Sequence, residues 1–141
     1  MPLIIRDPRI PSNKIGTTND EFTLNIDLAS TILGAAGLQS DPGMQGRDIA
    51  DLYLHERDTR TPPWRTEFYY EFRSRRRMIP EANALVRKDF KYFSYPESEF
   101  EALFNLQEDP LEQDNIIDVP VHADLLNEMR TRYKELQAQA L

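Results

Sequence analysis

The chain has no cysteine. That excludes disulfides, thiol nucleophiles and cysteine-ligated zinc, and leaves the redox compartment open. Histidine is nearly as scarce. His55 and His122 are the two present, far apart, with nothing at metal-ligand spacing beside either. Both are expected at the surface. No apolar run is long enough to span a bilayer, so no membrane partner is expected. No basic-then-apolar leader opens the sequence, so no signal peptide is expected, and the compartment stays undetermined. Positive charge is the minority sign, with 17 Lys and Arg against 24 Asp and Glu. Nucleic acid is not expected as a partner, because phosphate binding needs a basic face. No internal repeat or low-complexity stretch is visible.

What is present is enough chain for one domain: 141 residues, punctuated by ten prolines, so elements should be short. Leu3-Ile4-Ile5 is a continuous apolar run that suits a strand buried on both faces. No second all-apolar strand is present to pair with it. Asn25 to Leu38 reads as a helix with Asp27 as N-cap, a stripe of Leu28, Ile32 and Ala36 with Leu33 beside it, and Gly37 as the C′ residue. Asp48 to Leu54 reads as a shorter helix that buries Ile49, Leu52 and Tyr53.

Thr61-Pro62-Pro63 marks the boundary where aliphatic helices give way to aromatic strands. Trp64 to Phe72 reads as a strand with Phe68, Tyr70 and Phe72 on one face, and Tyr69 and Glu71 on the other. A basic run follows, Arg73-Ser74-Arg75-Arg76-Arg77. Ala84 to Arg87 and Phe90 to Phe93 form a hairpin about Lys88-Asp89, and Phe100 to Leu106 a further strand. Asp109-Pro110-Leu111-Glu112 has the form of a capping box. Asp118 should cap a last helix with Pro120 in its first turn. Leu125, Leu126, Met129, Tyr133 and Leu136 should lay that helix on the sheet.

Two stretches carry a resemblance. Ala84-Leu85-Val86-Arg87 with Lys91-Tyr92, followed by Leu103-Phe104-Asn105-Leu106 and Asp109-Pro110-Leu111-Glu112 through Asn115, is similar to the C-terminal signature of the sulfatase family. The first segment follows the same order: Pro2-Leu3-Ile4-Ile5-Arg6-Asp7-Pro8, then Asn25 to Gly37, then Met44-Gln45-Gly46-Arg47-Asp48. Phe90 before Lys91 and Ala102-Leu103-Phe104-Asn105 depart from the usual wording but keep its ring-and-aliphatic pattern.

The resemblance implies a sulfuric ester hydrolase of the alkaline-phosphatase-like superfamily, working with calcium and a formylglycine made from Cys or Ser. It also implies that parent members are often periplasmic or secreted. The chemistry needs a nucleophile, a divalent cation and charged groups near the leaving oxygen. None of the family's motifs for these occurs here. Ser12, Ser30, Ser40, Ser74, Ser94 and Ser98 lack the nucleophile's surroundings, and Asp114-Asn115 belongs to the turn after the capping box. The catalytic and metal assignments are therefore none, no cofactor is expected in this chain, and the chain alone is expected to be inactive.

Three features could touch a ligand. Arg75, Arg76 and Arg77 would suit an anionic glycan through their guanidinium forks. The bland alternative is a solvated loop balancing an acidic protein. Glu81 and Asn83 stand where the resemblance implies a polar substrate contact; the alternative is a polar strand entrance. Trp64, Tyr69 and Tyr70 could stack on sugars, but strand aromatics are more often core or cross-strand pairs.

The expected fold is α+β. Residues 1–60 would be the strand-helix remnant of the large α/β sulfatase domain. Residues 61–141 would form a small antiparallel sheet of about four strands under a C-terminal helix. Three readings compete: the C-terminal fragment of a sulfatase whose parent takes a sulfated small molecule or glycan; a stand-alone module that binds sulfated glycan or a protein partner; and an enzyme of some other kind, for which the sequence offers no residue set. Self-association through the orphaned N-terminal strand is a further expectation.

Overall fold

The computed structural model describes residues 2–54, 62–73 and 79–140. The chain divides into two compact units, Met1–Trp64 and Arg65–Leu141.

Among its described residues the first unit holds two short α-helices, α1 (Asp27–Ala35) and α2 (Ala50–Tyr53). α1 ends as its sequence predicts. Gly37 takes φ +72, a left-handed conformation that a Cβ would disfavour. The Leu38 N–H reaches back to the Leu33 carbonyl at 2.9 Å and that of Gly37 to Gly34 at 3.0 Å, which is the Schellman arrangement.

The orientation of α1 differs from expectation. Leu28 and Ile32, the predicted buried stripe, are 44% and 69% exposed, whereas Asp27 and Ser30 are buried. Asp27 does not cap the helix. Its carboxylate accepts the N–H of Leu24 at 2.7 Å and of Arg47 at 2.8 Å. The Ser30 hydroxyl donates to the Gly46 carbonyl, and the Thr31 hydroxyl accepts the Ile49 N–H. The polar side of α1 therefore holds the 46–49 segment by its backbone. Such pairing is obligatory once those groups leave water. Leu3-Ile4-Ile5 forms no strand, and Ile4 is 91% exposed. At α2, the preceding Ile49 and the first residue Ala50 are buried, while Leu52 and Tyr53 are only half-buried. Trp64 closes this unit rather than opening the sheet. Its indole N–H donates to the Phe22 carbonyl at 2.7 Å.

The second unit is the predicted sheet and helix. Strands β1 (Glu67–Phe72), β2 (Ala82–Arg87), β3 (Phe90–Tyr95) and β4 (Phe100–Asn105) form an antiparallel meander in the order β1-β2-β3-β4. Register sorts the side chains. Tyr69, Leu85, Tyr92 and Leu103 stand in one row on one face. Helix α3 (Ala123–Gln139) covers that row with Leu126, Met129 and Tyr133. Tyr133 meets Tyr69 and Tyr92 edge-on, at centroid distances of 5.5 and 5.2 Å. This geometry suits aromatic quadrupoles. Leu125 and Leu136 flank the cluster, as the helical spacing predicts. Asp118 does not cap α3, which is instead entered through a single 3-10 turn at Pro120–His122.

Candidate functional site

Ionic contacts stitch α3 to the sheet. Glu67 on β1 accepts from Arg87 at 2.9 Å and from Arg132 at 2.5 Å. Those arginines also reach Glu128 and Glu135 on α3. Glu101 on β4 takes the Tyr92 hydroxyl at 2.5 Å and the Arg130 guanidinium. Burial alone would raise the Glu67 and Glu101 carboxyls. Hydrogen bonds from Arg132 and Arg87 to the first, and from Arg130 and Tyr92 to the second, outweigh it and hold both below the usual range. Burial, reinforced by Glu101, pushes the Tyr92 phenol up. Each cation of this network is consumed by a carboxylate of the same unit. The arrangement has the character of structural stitching rather than of an acid–base pair facing substrate.

The sign of its pH dependence follows. A carboxyl depressed in the folded state stabilises the fold above its unfolded value, near the reference 4.5, and loses that contribution as pH falls through the folded value. The urea midpoint of the second unit should be flat near neutrality and fall on acidification below about pH 5. The Glu67→Gln/Glu101→Gln double variant should lie lower at neutral pH with a shallower acid slope. A midpoint that rises on acidification, or an unchanged slope in the variant, would contradict this account.

The predicted ligand contacts divide. Arg75, Arg76 and Arg77 lie outside the described residues, as does His55. Glu81 is half-buried just ahead of β2. Asn83 is 5% exposed, in register with Glu71 and Ser94 on the helix-covered face, and its Oδ1 has no hydrogen-bond partner. An orphaned buried acceptor costs about 1–3 kcal/mol, so its retention asks for an explanation. The resemblance singled out Asn83 as a polar substrate contact, with a polar strand entrance as the alternative. Its burial and its missing partner had no signal there. Trp64 is buried and Tyr69 belongs to the core, so neither offers a stacking face, whereas Tyr70 is 45% exposed. His122 is half-buried against Phe90, at a ring distance of 5.9 Å.

The Asp109–Asn115 turn is not a capping box. Glu112 has φ 56, which reverses the chain instead of starting a helix, and its carboxylate binds Lys91 Nζ at 2.6 Å. Asp109 accepts the Asp114 N–H at 2.9 Å. Asn115 lies along the edge of β4. Its Oδ1 accepts the N–H groups of Leu103 and Ile117 at 3.0 and 3.1 Å, and its amide donates to the Glu101 carbonyl at 3.4 Å. Its role is structural, as the sequence predicts.

Among the described residues no group of His, Asp and Glu could hold a metal ion. The calcium and formylglycine implied by the resemblance find no fitting donors there, and no reaction step is derived through them. Ser30 is buried and bonded inside the first unit.

Comparison with known proteins gives a family match over residues 1–139, described as N-sulphoglucosamine sulphohydrolase, C-terminal. The N-acetylglucosamine-6-O-sulfatase of Bacteroides thetaiotaomicron is 30% identical over 148 aligned positions, covering 99% of this chain and 25% of that protein. The Extracellular sulfatase SULF-1 homolog of Drosophila melanogaster is 34% identical over 76 positions, covering 54% of this chain and 7% of that protein. This chain thus spans about a quarter of the first relative and less of the second. A solved protein in complex with its substrate D-glucosamine-2-N,6-O-disulfate shares the fold at TM-score 0.71, with 23% identity over 80% of this chain and 23% of its own. The phosphonate monoester hydrolase of Agrobacterium radiobacter also shares the fold, at TM-score 0.67 and 19% identity over 87% of this chain and 26% of its own.

Proposed function

The chain belongs to the sulfatases, as their C-terminal region, and from that premise we propose that it is the non-catalytic C-terminal part of an enzyme that hydrolyses sulfate esters of sugars. The observation that carries the reading is the extent of the match: residues 1–139 align with a C-terminal family while spanning only a quarter of a whole relative. Nucleophile and cation would then come from polypeptide outside this sequence. Sulfated glucosamine is the favoured substrate class, since one relative acts on N-acetylglucosamine 6-sulfate groups by its name and one structural neighbour holds a disulfated glucosamine. Calcium and formylglycine belong to that outside part.

A second reading rests on Asn83. Its unpartnered Oδ1 could accept a hydroxyl or N–H of a sugar, with Glu81 two positions earlier in the sequence as a second polar contact; Arg75, Arg76 and Arg77, which lie outside the described residues, would be the candidates for the sulfates. On this reading the chain binds sulfated glycan by itself.

Two measurements decide between them. The purified chain, with and without calcium, should release no product from an aryl sulfate or from D-glucosamine-2-N,6-O-disulfate. Turnover that survives repurification would overturn the proposal. Titrating the same disulfate into the chain should leave the Glu81 and Asn83 amide signals unmoved. Saturable shifts there, absent in Asn83→Ala, would favour the stand-alone module.

A further inference from the structure

The two edges of the meander are finished differently. On β4, Leu103 turns its N–H and its carbonyl away from β3, to Asn115 and Ile116. Backbone groups along a strand point alternately to its two sides, so the aligned row fixes the rest. Tyr92 bonds toward Leu85, and Tyr69, at the far end of the row, turns its backbone groups outward. Glu67 and Glu71 do the same by alternation. No described residue gives these outward groups a backbone partner. The pairing of β1 with β2 runs unbroken from Glu67 to Phe72, and no proline, lysine or bulge blunts the edge. On the side away from α3, Tyr70 and Phe72 are 45% and 39% exposed. With Ala82 and Ala84 they line an apolar hollow of about 640 Å³.

We infer that the edge of β1 takes a second copy of this chain, β1 against β1 antiparallel, so that two meanders join in one continuous sheet. The inference stands apart from the function proposed above. Self-complementarity chooses the occupant. Outward groups must meet outward groups, so the two-fold axis passes through a residue. An axis at Tyr69 would set Glu67 against Glu71 and Arg65 against Arg73, and like charges directly opposite are destabilising. An axis at Glu71 would set that carboxylate against itself. An axis at Phe68 would bring Phe72 opposite Trp64, beyond the strand. An axis at Tyr70 satisfies every pair. Glu67 then lies opposite Arg73, Tyr69 opposite Glu71, Phe68 opposite Phe72, and Tyr70 opposite its own copy. Arg73 is exposed and now holds only the neighbouring Glu71, at 3.1 Å. The Glu67 carboxylate already accepts from Arg87 and Arg132, and its two oxygens have lone pairs for a further donor. The ring pairs gather at the axis on the side away from α3, where cross-strand aromatic pairs are favourable.

Sedimentation equilibrium of the whole chain should show a dimer that dissociates on dilution. Arg73→Glu turns two symmetric attractions into repulsions and should weaken association by about tenfold or more. Glu71→Pro removes an outward N–H while leaving the bonds to β2 in place, and should give a monomer with an unchanged urea midpoint. The register has its own readout. The chain has no cysteine, so an introduced thiol finds only its counterpart in another copy. Opposed residues that are not hydrogen-bonded lie about 4.5 Å apart at Cα, within reach of a disulfide. Under mild oxidation Tyr70→Cys should therefore form a covalent dimer quickly, and Ala138→Cys, at an exposed position of α3, slowly. Phe68→Cys and Phe72→Cys should each cross-link poorly alone and well when mixed. A monodisperse monomer at the highest concentration reached overturns the inference. So does a dimer that Arg73→Glu leaves as tight as before, which would assign association to another surface. A dimer in which the mixed thiols cross-link no better than either alone also counts against it, since stacking through the apolar face would need no such register. If Glu71→Pro does not fold, Arg73→Glu and the mixed thiols still decide.

Discussion

Replacing Met129 by alanine should lower the stability of the second unit by roughly 2–5 kcal/mol. Met129 is fully buried at the centre of α3 and belongs to one cluster with Leu85, Tyr92, Leu103, Leu126 and Tyr133. Its removal costs the transfer energy of the lost atoms and leaves a cavity. The surrounding tyrosine rings meet edge-on and hydrogen-bond to Glu101 and Gln137, which limits their collapse into the space. The urea midpoint should drop by about 1–3 M at ordinary slopes. Hydrogen exchange at Leu85 and Tyr92 is the appropriate probe. The only tryptophan, Trp64, belongs to the first unit, and its fluorescence should hardly change. Val121→Ala, at a position 81% exposed, is the control and should cost about 0.5 kcal/mol or less. A Met129→Ala midpoint within error of wild type would mean that α3 is not the lid of this sheet.

Where local chemistry decided the outcome, the sequence was legible. Alternating rings and charges marked β1 and β3, a tight turn joined β2 to β3, and the spacing of Leu126, Met129 and Tyr133 named the side of α3 that is buried. Gly37 announced the end of α1 because a left-handed C′ residue is a local requirement. Legibility failed where a partner distant in sequence competed. In α1 the stripe Leu28/Ile32 was visible, yet Asp27, Ser30 and Thr31 found backbone partners at 46–49 and turned that side inward. Apolar periodicity has no means of weighing such bonds. Leu3-Ile4-Ile5 reads as a strand, but a strand exists only beside another, and none of the described residues pairs with it. At the candidate site, Glu81 and Asn83 could be singled out as residues. The missing partner of Asn83 is a property of three-dimensional surroundings that no spacing encodes. The hollow of the second sheet face was half legible, in the alternation of Phe68, Tyr70 and Phe72. Its alanine floor, Ala82 and Ala84, comes from β2 and needed the register with β1.

The signature turn yields the second large effect. Asn115→Ala should destabilise the second unit by roughly 2–4 kcal/mol, more than most surface substitutions, through unpaired backbone groups. Leu103 is fully buried, and its N–H lies on the side of β4 away from β3, where another strand would otherwise bond. Asn115 Oδ1 takes that N–H and the N–H of Ile117, and the Ile116 N–H then pairs with the Leu103 carbonyl at 2.9 Å. One side chain thus starts a substitute ladder that closes an edge strand and lays Ile116 and Ile117 against the core. Alanine leaves two donors without an acceptor and frees the loop that carries both isoleucines. Asn115→Asp separates the causes. It keeps the accepting oxygens and loses only the longer bond to the Glu101 carbonyl, so it should cost about 1 kcal/mol or less near neutral pH. Exchange at the Leu103 amide should accelerate strongly in the alanine variant and weakly in the aspartate variant. Equal losses in the two would mean that the amide donor, or the mere presence of a charge, matters more than the accepting oxygen. The edge of β4 would then have to be held by the backbone pairing of Ile116 with Leu103 alone.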